Sequence, residues 1–356
     1  MKILVVGDGH SEIHEVAIAE AFRKLGHSVG VFYWDKYFSA NNIIARQWLR
    51  AQNKFIFGPQ IKKINRDLVA KAFQFKPDMI FIYRGTHVSL LTLSALKTQI
   101  PNCKVIGYNN DDPFAPTHPR WLWRHFMDGV PKYDLVLAYR HRNLQDLRCA
   151  GARRVELLRS WFVPNRNYPV VLSEKDKAQY ECDVVFVGHY EPDQRVTLLE
   201  FIVRRGWRLR LFGPGYDWDP VIRRSPELGA QVPVRLVWGE DYNRALCGAR
   251  IALCFLSKLN RDTYTRRCFE IPATRTLMLS EYTDDLASLF REGEEMEFFR
   301  TPEEMMAKIE HYLADEPRRQ AVAEAGFRRV QEDGHDVVSR MRQVLVWLEE
   351  MREETV

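Results

Sequence analysis

The sequence predicts an α/β protein that consists of two doubly wound parallel-sheet domains in tandem. Its 356 residues suffice for two domains at ~100–200 residues each. Short, continuously apolar segments alternate with amphipathic helical segments, which is typical of parallel strands covered by helices on both faces. The alternation pauses once near the middle of the chain and then restarts. Ligands of such sheets bind at the carboxyl ends of the strands, so we expect the two domains to face a cleft.

Six predicted strands make up the first domain, which we assign to residues 1–165. They are Ile3–Val6, Val29–Tyr33, Met79–Tyr83, Val105–Tyr108, Leu135–Tyr139 and Val155–Leu158. The segment from Glu12 to Gly26 illustrates the helices between them. Its apolar residues recur at three- and four-residue spacing, and Gly26 supplies a stop.

A polar segment rich in Pro and Asn, residues 166–181, predicts a linker to a second domain at 182–335. The strands predicted there are Asp183–Gly188, Leu209–Gly213, Val234–Trp238, Ile251–Phe255 and Thr276–Ser280. From Pro302 onward the sequence is helical and amphipathic. We expect the last helix, residues 336–356, to pack back on the first domain.

Charge is distributed unevenly along the chain. The formal net charge is +5, but the residues up to position 280 carry 42 Lys and Arg against 27 Asp and Glu, whereas the rest carry 10 against 20. The basic part could meet phosphates, an anionic membrane surface or nucleic acid, and the acidic part is typical of solvated helices. Composition alone does not choose among these partners.

Local sequence excludes several other classes. No run reaches the ~18–20 apolar residues that a membrane span needs. The apolar start is too short for a signal peptide and predicts a strand instead. Six cysteines without a CxxC pair are expected to be reduced thiols. We therefore expect a cytoplasmic protein.

The first predicted strand ends in the glycine-bearing loop Gly7–His10. Its backbone amides could approach an anion, but Glu12 stands where a dinucleotide fingerprint needs a small residue. On a helix, His10 and His14 would share a face and could hold a metal. An imidazole here is also suited to a general base, since its usual pKa is ~6.5. We rank the base above the metal, and a histidine bonded to neighbouring loops is the plainer alternative.

A later strand end of the same domain carries Asp111 and Asp112. Adjacent carboxylates could orient a catalytic histidine or bind sugar hydroxyls, and an Asx turn is the equally simple alternative. The following residues, 118–166, hold ten Lys and Arg against four Asp and Glu and include two tryptophans near Arg120. Such a segment could stack on bases or lie at a lipid interface, although it is more often partly core.

The second domain carries the more specific pattern. Arg267 begins a predicted helix three residues before Glu270, so the two side chains would lie on one face. The guanidinium could clamp a diphosphate while the carboxylate accepts hydrogen bonds from ribose hydroxyls. As an isolated pair, such residues more often form a surface salt bridge. Glycines also stand at two strand ends, Gly188 and Gly213, and Arg195 lies just inside a following helix.

Several motifs then occur in a recognisable order. Arg267–Ala273 reads RCFEIPA, and it is followed by a strand, by Gly293–Glu295 and by the helical segment Arg319–Val330. In this order they resemble the C-terminal domain of group-1-type glycosyltransferases, most closely the branch similar to the spore-maturation protein CgeB. The resemblance covers about two thirds of the chain by order of motifs.

The resemblance implies the GT-B fold, in which two Rossmann-like domains face a cleft. The C-terminal domain would bind a nucleotide sugar and the N-terminal domain its acceptor. Arg267 would hold the donor phosphate, Glu270 the ribose, and Gly188 with Arg195 the loop near the sugar phosphate. His10 is similar in position to the histidine base of inverting members of this fold. Further donor-binding positions would be His189, Gly213, Tyr242, Phe269 and Glu295. On the acceptor side we expect Gly9, Asp111 and Arg120.

We therefore expect a metal-independent glycosyltransferase of GT-B type that moves a sugar from a nucleotide-diphosphate donor to a glycan, lipid-linked or protein acceptor. Bacterial surface-polysaccharide or glycoconjugate assembly is the expected setting. His10 would act as the base, with His14 or Asp112 as replacements. No cofactor is expected, because the acidic triplet Asp217–Asp219 is too weak a signal for a metal site. Peripheral contact with the inner face of the cell membrane is expected, and nucleic acid is not.

Two alternatives from other classes remain open at this stage. A non-catalytic glycosyltransferase-like subunit could bind a glycan or a partner, since Thr274-Arg275 stands where the family has Cys-Gly or Ser-Gly. A nucleic-acid binder could use Arg120–Arg166, and its affinity would depend steeply on salt.

Overall fold

Residues 1–353 are described by the structure, a computed structural model, and they fall into two units. The first unit comprises Met1–Ser160 together with the segment that starts at Val337, and the second comprises Trp161–Asp336. Residues 166–181, predicted to be a linker, belong to the second unit. Each unit has its own sheet and its own hydrophobic core.

The first unit is built on six strands within the described residues: β1 (Lys2–Gly7), β2 (Ser28–Tyr33), β3 (Met79–Tyr83), β4 (Lys104–Asn109), β5 (Leu135–Ala138) and β6 (Val155–Leu157). All pair in parallel, in the order β2-β1-β3-β4-β5-β6. The helices between them are α1 (Glu15–Lys24), α2 (Ile43–Phe55), α3 (Pro59–Phe75), α4 (Leu90–Gln99), α5 (Arg124–Gly129) and α6 (His141–Cys149). The sheet buries both faces of its central strands, which explains their continuously apolar sequences.

The second unit contains five described strands: β7 (Cys182–Val187), β8 (Leu209–Phe212), β9 (Ala249–Cys254), β10 (Leu277–Glu281) and β11 (Glu297–Phe299). They also pair in parallel, in the order β11-β10-β9-β7-β8. Its helices are α7 (Glu174–Tyr180), α8 (Arg195–Arg204), α9 (Gly215–Ile222), α10 (Glu240–Cys247), α11 (Arg267–Ala273), α12 (Asp284–Ala287), α13 (Pro302–Ala314) and α14 (Glu316–Glu332). The predicted fold class, two doubly wound parallel-sheet domains, is confirmed.

One predicted strand of the second unit is wrong. Val234–Trp238 forms a single bridge, between Arg235 and Phe212, and no ladder within the described chain. Leu236 and Trp238 are exposed there, so the segment has too little burial and too few partners to extend the sheet. The opposite edge is instead completed by β11, which sequence analysis missed. Its glutamate, Glu297, is buried and accepts a hydrogen bond from the Tyr312 hydroxyl at 2.6 Å.

The last helix, α15 (Val337–Glu353), belongs to the first unit and packs against α1. It buries an apolar face that includes Met341, Val344 and Leu348. An ion pair between Arg154 and Glu350, 2.5 Å apart, links the C-terminal end of α15 to the residue before β6. None of the helices described in residues 1–353 has the length and apolar character needed to cross a bilayer.

Candidate functional site

Arg267 joins the carboxyl ends of two neighbouring strands of the second unit. It is the first residue of α11, and its Nη1 donates to the Val187 carbonyl at 2.9 Å while Nη2 donates to the Phe255 carbonyl at 3.2 Å. The guanidinium also lies over the Phe186 ring, 5.6 Å from its centroid. Its buried Nε finds no hydrogen-bond partner among the residues that the structure describes. A permanent positive charge is therefore fixed at the edge where ligands of parallel sheets bind.

Two of the predicted donor-binding glycines make room for this arrangement. A Cβ at Gly188 would lie 2.1 Å from Nη1 of Arg267, and a Cβ at Gly213 would lie 2.1 Å from the Gly188 carbonyl oxygen. That carbonyl also accepts a hydrogen bond from Trp218 Nε1 at 2.8 Å. Both glycines are thus required by close packing inside the unit, whatever ligand approaches them.

Glu270 lies one turn into α11 and is buried, as is expected of a functional carboxylate that has partners. Its Oε2 accepts a hydrogen bond from the Tyr242 hydroxyl at 2.9 Å, and its Oε1 lies 2.7 Å from Nε of Arg266. Burial, and then the negative charge of Glu270, raises the pKa of Tyr242. Tyr242 and Glu270, which were both predicted to bind the donor, are therefore in contact with each other. Arg266, which the sequence analysis did not single out, also contacts Glu270.

The predicted phosphate-loop arginine, Arg195, is already engaged by its own loop. Its Nε and Nη2 each donate to Asp193 at 2.7 Å, and its Nη1 donates to the His189 carbonyl at 2.7 Å. The side chain is 3% exposed. Arg195 therefore orders the loop after β7. The neighbouring His189 side chain is exposed, and its Nδ1 lies 3.0 Å from Asp217.

A cavity of about 650 Å³ opens at the same edge of the second sheet. Its walls come from the segments after β7, β9, β10 and β11 and carry charged side chains that include Arg195, Lys258, Asp262 and Arg300. The volume falls within the range of small-molecule sites. Of the residues predicted to bind the donor, Arg195 alone lines this cavity within the described chain.

Two predicted donor-binding residues have structural partners within the second unit. Phe269 is fully buried and stacks on His335, with 4.7 Å between ring centroids. Glu295 is 5% exposed, and its carboxylate accepts hydrogen bonds from the Arg291 backbone and guanidinium. Phe269 is thus a core residue, and Glu295 holds the turn that leads to β11.

In the first unit, His10 is paired with an acid that the sequence analysis had not assigned to it. Its Nδ1 lies 2.8 Å from Asp8 Oδ2, and the imidazole is 70% exposed. This pairing leaves Nε2 as the nitrogen that could take a proton. His14 is the residue before α1 and stacks on Tyr83, with 5.1 Å between ring centroids. The expectation that His10 and His14 share a helix face is wrong, because the helix begins only at Glu15.

Glu15 is a further candidate that the sequence analysis did not single out. It is 2% exposed, and its Oε1 accepts a hydrogen bond from the Asp8 amide at 3.0 Å. Burial raises the pKa of this carboxyl, and its Oε2 has no hydrogen-bond partner among residues 1–353. Gly7 accommodates it, since a Cβ there would lie 2.3 Å from Glu15 Cγ. The signal in the sequence was an acid in the first helical turn after a glycine loop.

The remaining first-unit candidates lie at the end of β4. Asp112 is fully buried, and its Oδ1 accepts hydrogen bonds at 3.0 Å from the Phe114 amide and from Asn143. The first of these is the Asx turn that the sequence left open. Asp111 forms an ion pair with Arg84. Among the acceptor-side residues, Arg120 is exposed at the start of a 3₁₀ turn, and Gly9 adopts φ +90° against Tyr33.

No three His, Cys, Asp or Glu side chains of the described chain are grouped as metal ligands would be. In the acidic triplet, Asp217 contacts His189, and Asp219 Oδ1 accepts a hydrogen bond from the Val234 amide at 2.9 Å. Both carboxylates therefore have local partners within the second unit.

Comparison with known proteins finds similarity to one family model and to several solved structures. Residues 194–346 match a family model described as glycosyl transferase-like. No significant match is found among curated protein sequences. Anabaena Alr3699/HepE, crystallised with UDP and glucose, is similar over 98% of this chain and 100% of its own, with 13% identity and a TM-score of 0.68.

Two synthases share the same fold. Sucrose-phosphate synthase from Thermosynechococcus elongatus aligns over 99% of this chain and 100% of its own, with 13% identity and a TM-score of 0.69. A trehalose 6-phosphate synthase from Burkholderia multivorans aligns over 99% and 97%, with 12% identity and a TM-score of 0.64. At these identities the likeness establishes the fold, so the predicted GT-B class is confirmed. The narrower resemblance to the CgeB-like branch stays a prediction.

Proposed function

We propose that the chain is a glycosyltransferase whose second unit holds a nucleotide-diphosphate sugar. The observation that carries this proposal is Arg267, a half-buried residue whose guanidinium is fixed at the carboxyl ends of β7 and β9 within the stretch that matches the glycosyl transferase-like model. A structural neighbour that binds UDP supports the choice of a nucleoside diphosphate.

The chemical role of Arg267 would be to stabilise the departing diphosphate. Negative charge accumulates on that group as the glycosidic bond to the donor breaks, and a preorganised cation acts most strongly on such developing charge. Because a fixed guanidinium can supply this charge, the proposed transfer needs no metal ion. The carboxylate of Glu270, held by Tyr242 and Arg266, would accept hydrogen bonds from the ribose hydroxyls.

The first unit would supply the acceptor side and the base. His10 is the favoured base because Asp8 fixes its Nδ1 and its Nε2 is available, which is the pairing expected of an oriented imidazole. His14 is stacked on a tyrosine and Asp112 is fully buried, so both are less suited to remove a proton from a hydroxyl. The acceptor class remains a glycan, a lipid-linked sugar or a protein, in surface-polysaccharide or glycoconjugate assembly.

Calorimetry with UDP, GDP and CDP tests the donor site. One of these nucleotides should bind, and Arg267→Ala should weaken it on the order of 10- to 100-fold, the effect of losing hydrogen bonds to a charged group. Gly188→Ala should also weaken binding, because its Cβ displaces the guanidinium. Gly229→Ala is the milder comparison variant, since a Cβ there would lie 3.3 Å from the Arg223 carbonyl oxygen, against 2.1 Å from the Arg267 guanidinium at Gly188. Unchanged affinity in a folded Arg267→Ala variant would contradict the site.

Turnover is tested separately with a panel of nucleotide sugars. Wild type should hydrolyse or transfer the matching donor, and His10→Ala should reduce the rate by about 10²–10⁴-fold with nucleotide affinity unchanged. If a nucleotide binds but no donor is turned over by wild type, the protein is instead a non-catalytic subunit that uses the same fold to hold a glycan or partner.

A further inference from the structure

Helix α2 of the first unit exposes the face that a surface helix normally buries. Ile44, Trp48 and Phe55 are spaced at four and seven residues and therefore lie along one face. Their exposed fractions are 80%, 51% and 49%. Within Ile43–Phe55, all of which the structure describes, Gln52 alone is buried. An amphipathic helix in this position would ordinarily turn its apolar stripe to the core.

Aromatic side chains outside α2 enlarge this surface. Phe57 packs edge-on against Trp48 with 5.7 Å between ring centroids, and Trp121 lies 5.6 Å from Phe55. Both Phe57 and Trp121 are themselves exposed, at 41% and 38%. The result is a contiguous aromatic and aliphatic patch, which we call the α2 patch, formed by Ile44, Trp48, Phe55, Phe57 and Trp121. A contiguous apolar patch of this kind marks an interaction surface.

The surroundings of the α2 patch are basic. Arg46, Arg50 and Lys54 follow one another at four-residue spacing on a second stripe of the helix, roughly 140° around the axis from the apolar stripe, and all three are exposed. Between residues 36 and 66 there are seven Lys and Arg and no Asp or Glu. Within residues 1–353 the structure gives Arg50 and Lys54 no carboxylate partner. The charge surrounding the patch is therefore complementary to an anionic surface.

The helix is held in place without using this face. Asn42 caps its start by accepting a hydrogen bond from the Ile44 amide at 2.8 Å. At its end, Ile56 is buried in the core, and its carbonyl accepts a hydrogen bond from Arg124 at 2.9 Å. Gln52 accepts another from the Gln60 amide at 2.8 Å. The apolar stripe is thus presented on an element that is already fixed.

We propose that the α2 patch docks into the interfacial layer of a membrane that contains anionic lipids. Trp, Phe and Ile would enter the boundary between headgroups and acyl chains, and the neighbouring Arg and Lys side chains would reach the lipid phosphates. This surface lies in the first unit, and the docking does not depend on the proposed sugar transfer.

Other occupants fit the α2 patch less well. A second copy docking through the same face would bring together two copies of segment 36–66, which carries seven Lys and Arg and no Asp or Glu, and like charges oppose this. Single-stranded nucleic acid would stack on the aromatic rings but would leave the 80% exposed Ile44 without an apolar partner. Both are therefore treated as outcomes that would overturn the proposal.

The test is cosedimentation of the full-length protein with vesicles of phosphatidylcholine, with and without phosphatidylglycerol. Binding should require phosphatidylglycerol and should weaken as salt is raised. Trp48→Ser/Phe55→Ser should reduce the partition coefficient at least tenfold. Arg50→Glu/Lys54→Glu should reduce it by about fivefold per basic side chain removed. The exposed pair Arg223→Glu/Arg224→Glu changes the net charge equally and should bind as wild type does.

Three results would overturn the proposal. One is failure to bind either kind of vesicle. Another is equal loss of binding in the Arg223→Glu/Arg224→Glu control, which would indicate nonspecific attraction by net charge. The third is a Trp48-dependent dimer in sedimentation velocity, or oligonucleotide binding lost in the same variants, without vesicle binding. The substituted side chains are all exposed, so each variant is expected to fold. Circular dichroism of each variant checks this.

Discussion

Arg266 and Arg267 are neighbours in the sequence but have unrelated partners. The sequence placed Arg267 and Glu270 on one helix face, and the structure pairs Glu270 with Arg266 instead, while Arg267 reaches the Val187 carbonyl. That carbonyl lies 80 residues away along the chain. Residue types and helix spacing could be predicted locally. The partners could not, because they depend on rotamers and on backbone groups that only the folded sheet brings near.

The first-unit candidates show the same limit. Asp112 was predicted as an acid that could orient a histidine, but its carboxylate turns back onto the Phe114 amide and Asn143. Asp8, only two residues before His10, occupies the orienting position instead. Helical spacing also failed for His14, since the chain is not helical between His10 and His14. Strand-end positions were therefore predictable, whereas side-chain directions in the loops were not.

Glu15→Gln should make stability less sensitive to alkaline pH. Burial raises the pKa of Glu15, so the folded protein holds the proton more tightly than the unfolded chain does. Stability then falls as pH rises through the folded-state pKa. Glutamine keeps an acceptor for the Asp8 amide and removes the titration. Thermal midpoints measured from pH 4.5 to pH 8 should converge for the two proteins at the acidic end and favour the variant at the alkaline end.

The exposed Glu20, also on α1, provides the control for that comparison. Glu20→Gln should follow the wild-type pH dependence. A Glu15→Gln variant that is less stable than wild type at the alkaline end would show that the folded protein needs the charged carboxylate, contrary to the prediction.

At the scale of elements, burial decided which strands could be predicted. The central strands of both sheets are apolar throughout because both of their faces are covered, and each was predicted. The two errors lie at sheet edges. Val234–Trp238 has an apolar sequence but lacks a ladder, and β11 has a ladder but begins with Glu297, whose charge is matched by Lys308. An edge strand pairs with only one neighbouring strand, so amino-acid composition is a weaker guide to strand formation at a sheet edge.

Removing apolar volume from α15 should destabilise the first unit. Leu348 is fully buried, so Leu348→Ala should lower the free energy of unfolding by about 2–5 kcal/mol. Val346, two residues away on the same helix, is 47% exposed. Val346→Ala should therefore change the free energy of unfolding by less than about 0.5 kcal/mol. Urea unfolding monitored by hydrogen exchange of β1 and β3 measures both. Equal effects of the two substitutions would show that α15 does not support this core.

At the scale of the whole chain, the uneven charge can now be assigned to surfaces. The +5 total combines a basic part up to residue 280 with an acidic remainder. Among the basic residues, Arg267 is fixed at strand ends, whereas Arg46, Arg50 and Lys54 stand exposed beside apolar side chains. The acidic residues include Glu292, whose pKa is lowered to about 2, first of all by its hydrogen bond with Arg300. Net charge therefore conceals two kinds of cation: one is held by backbone carbonyls at strand ends, and the other is exposed on the same helix as exposed apolar side chains.

A bound nucleotide should stabilise one unit and thereby locate the donor site. A ligand stabilises only the folded state that binds it, by about 2.7 kcal/mol at a concentration of 100 Kd. The two units have separate sheets and separate cores, so this free energy should slow exchange of the most protected amides of β7 and β9. Exchange in β1 and β3 should not slow to the same extent. Hydrogen-exchange mass spectrometry with saturating UDP, GDP or CDP makes the comparison. If β1 and β3 alone gained protection, the nucleotide would bind the first unit and the assignment of Arg267 as its phosphate contact would be wrong.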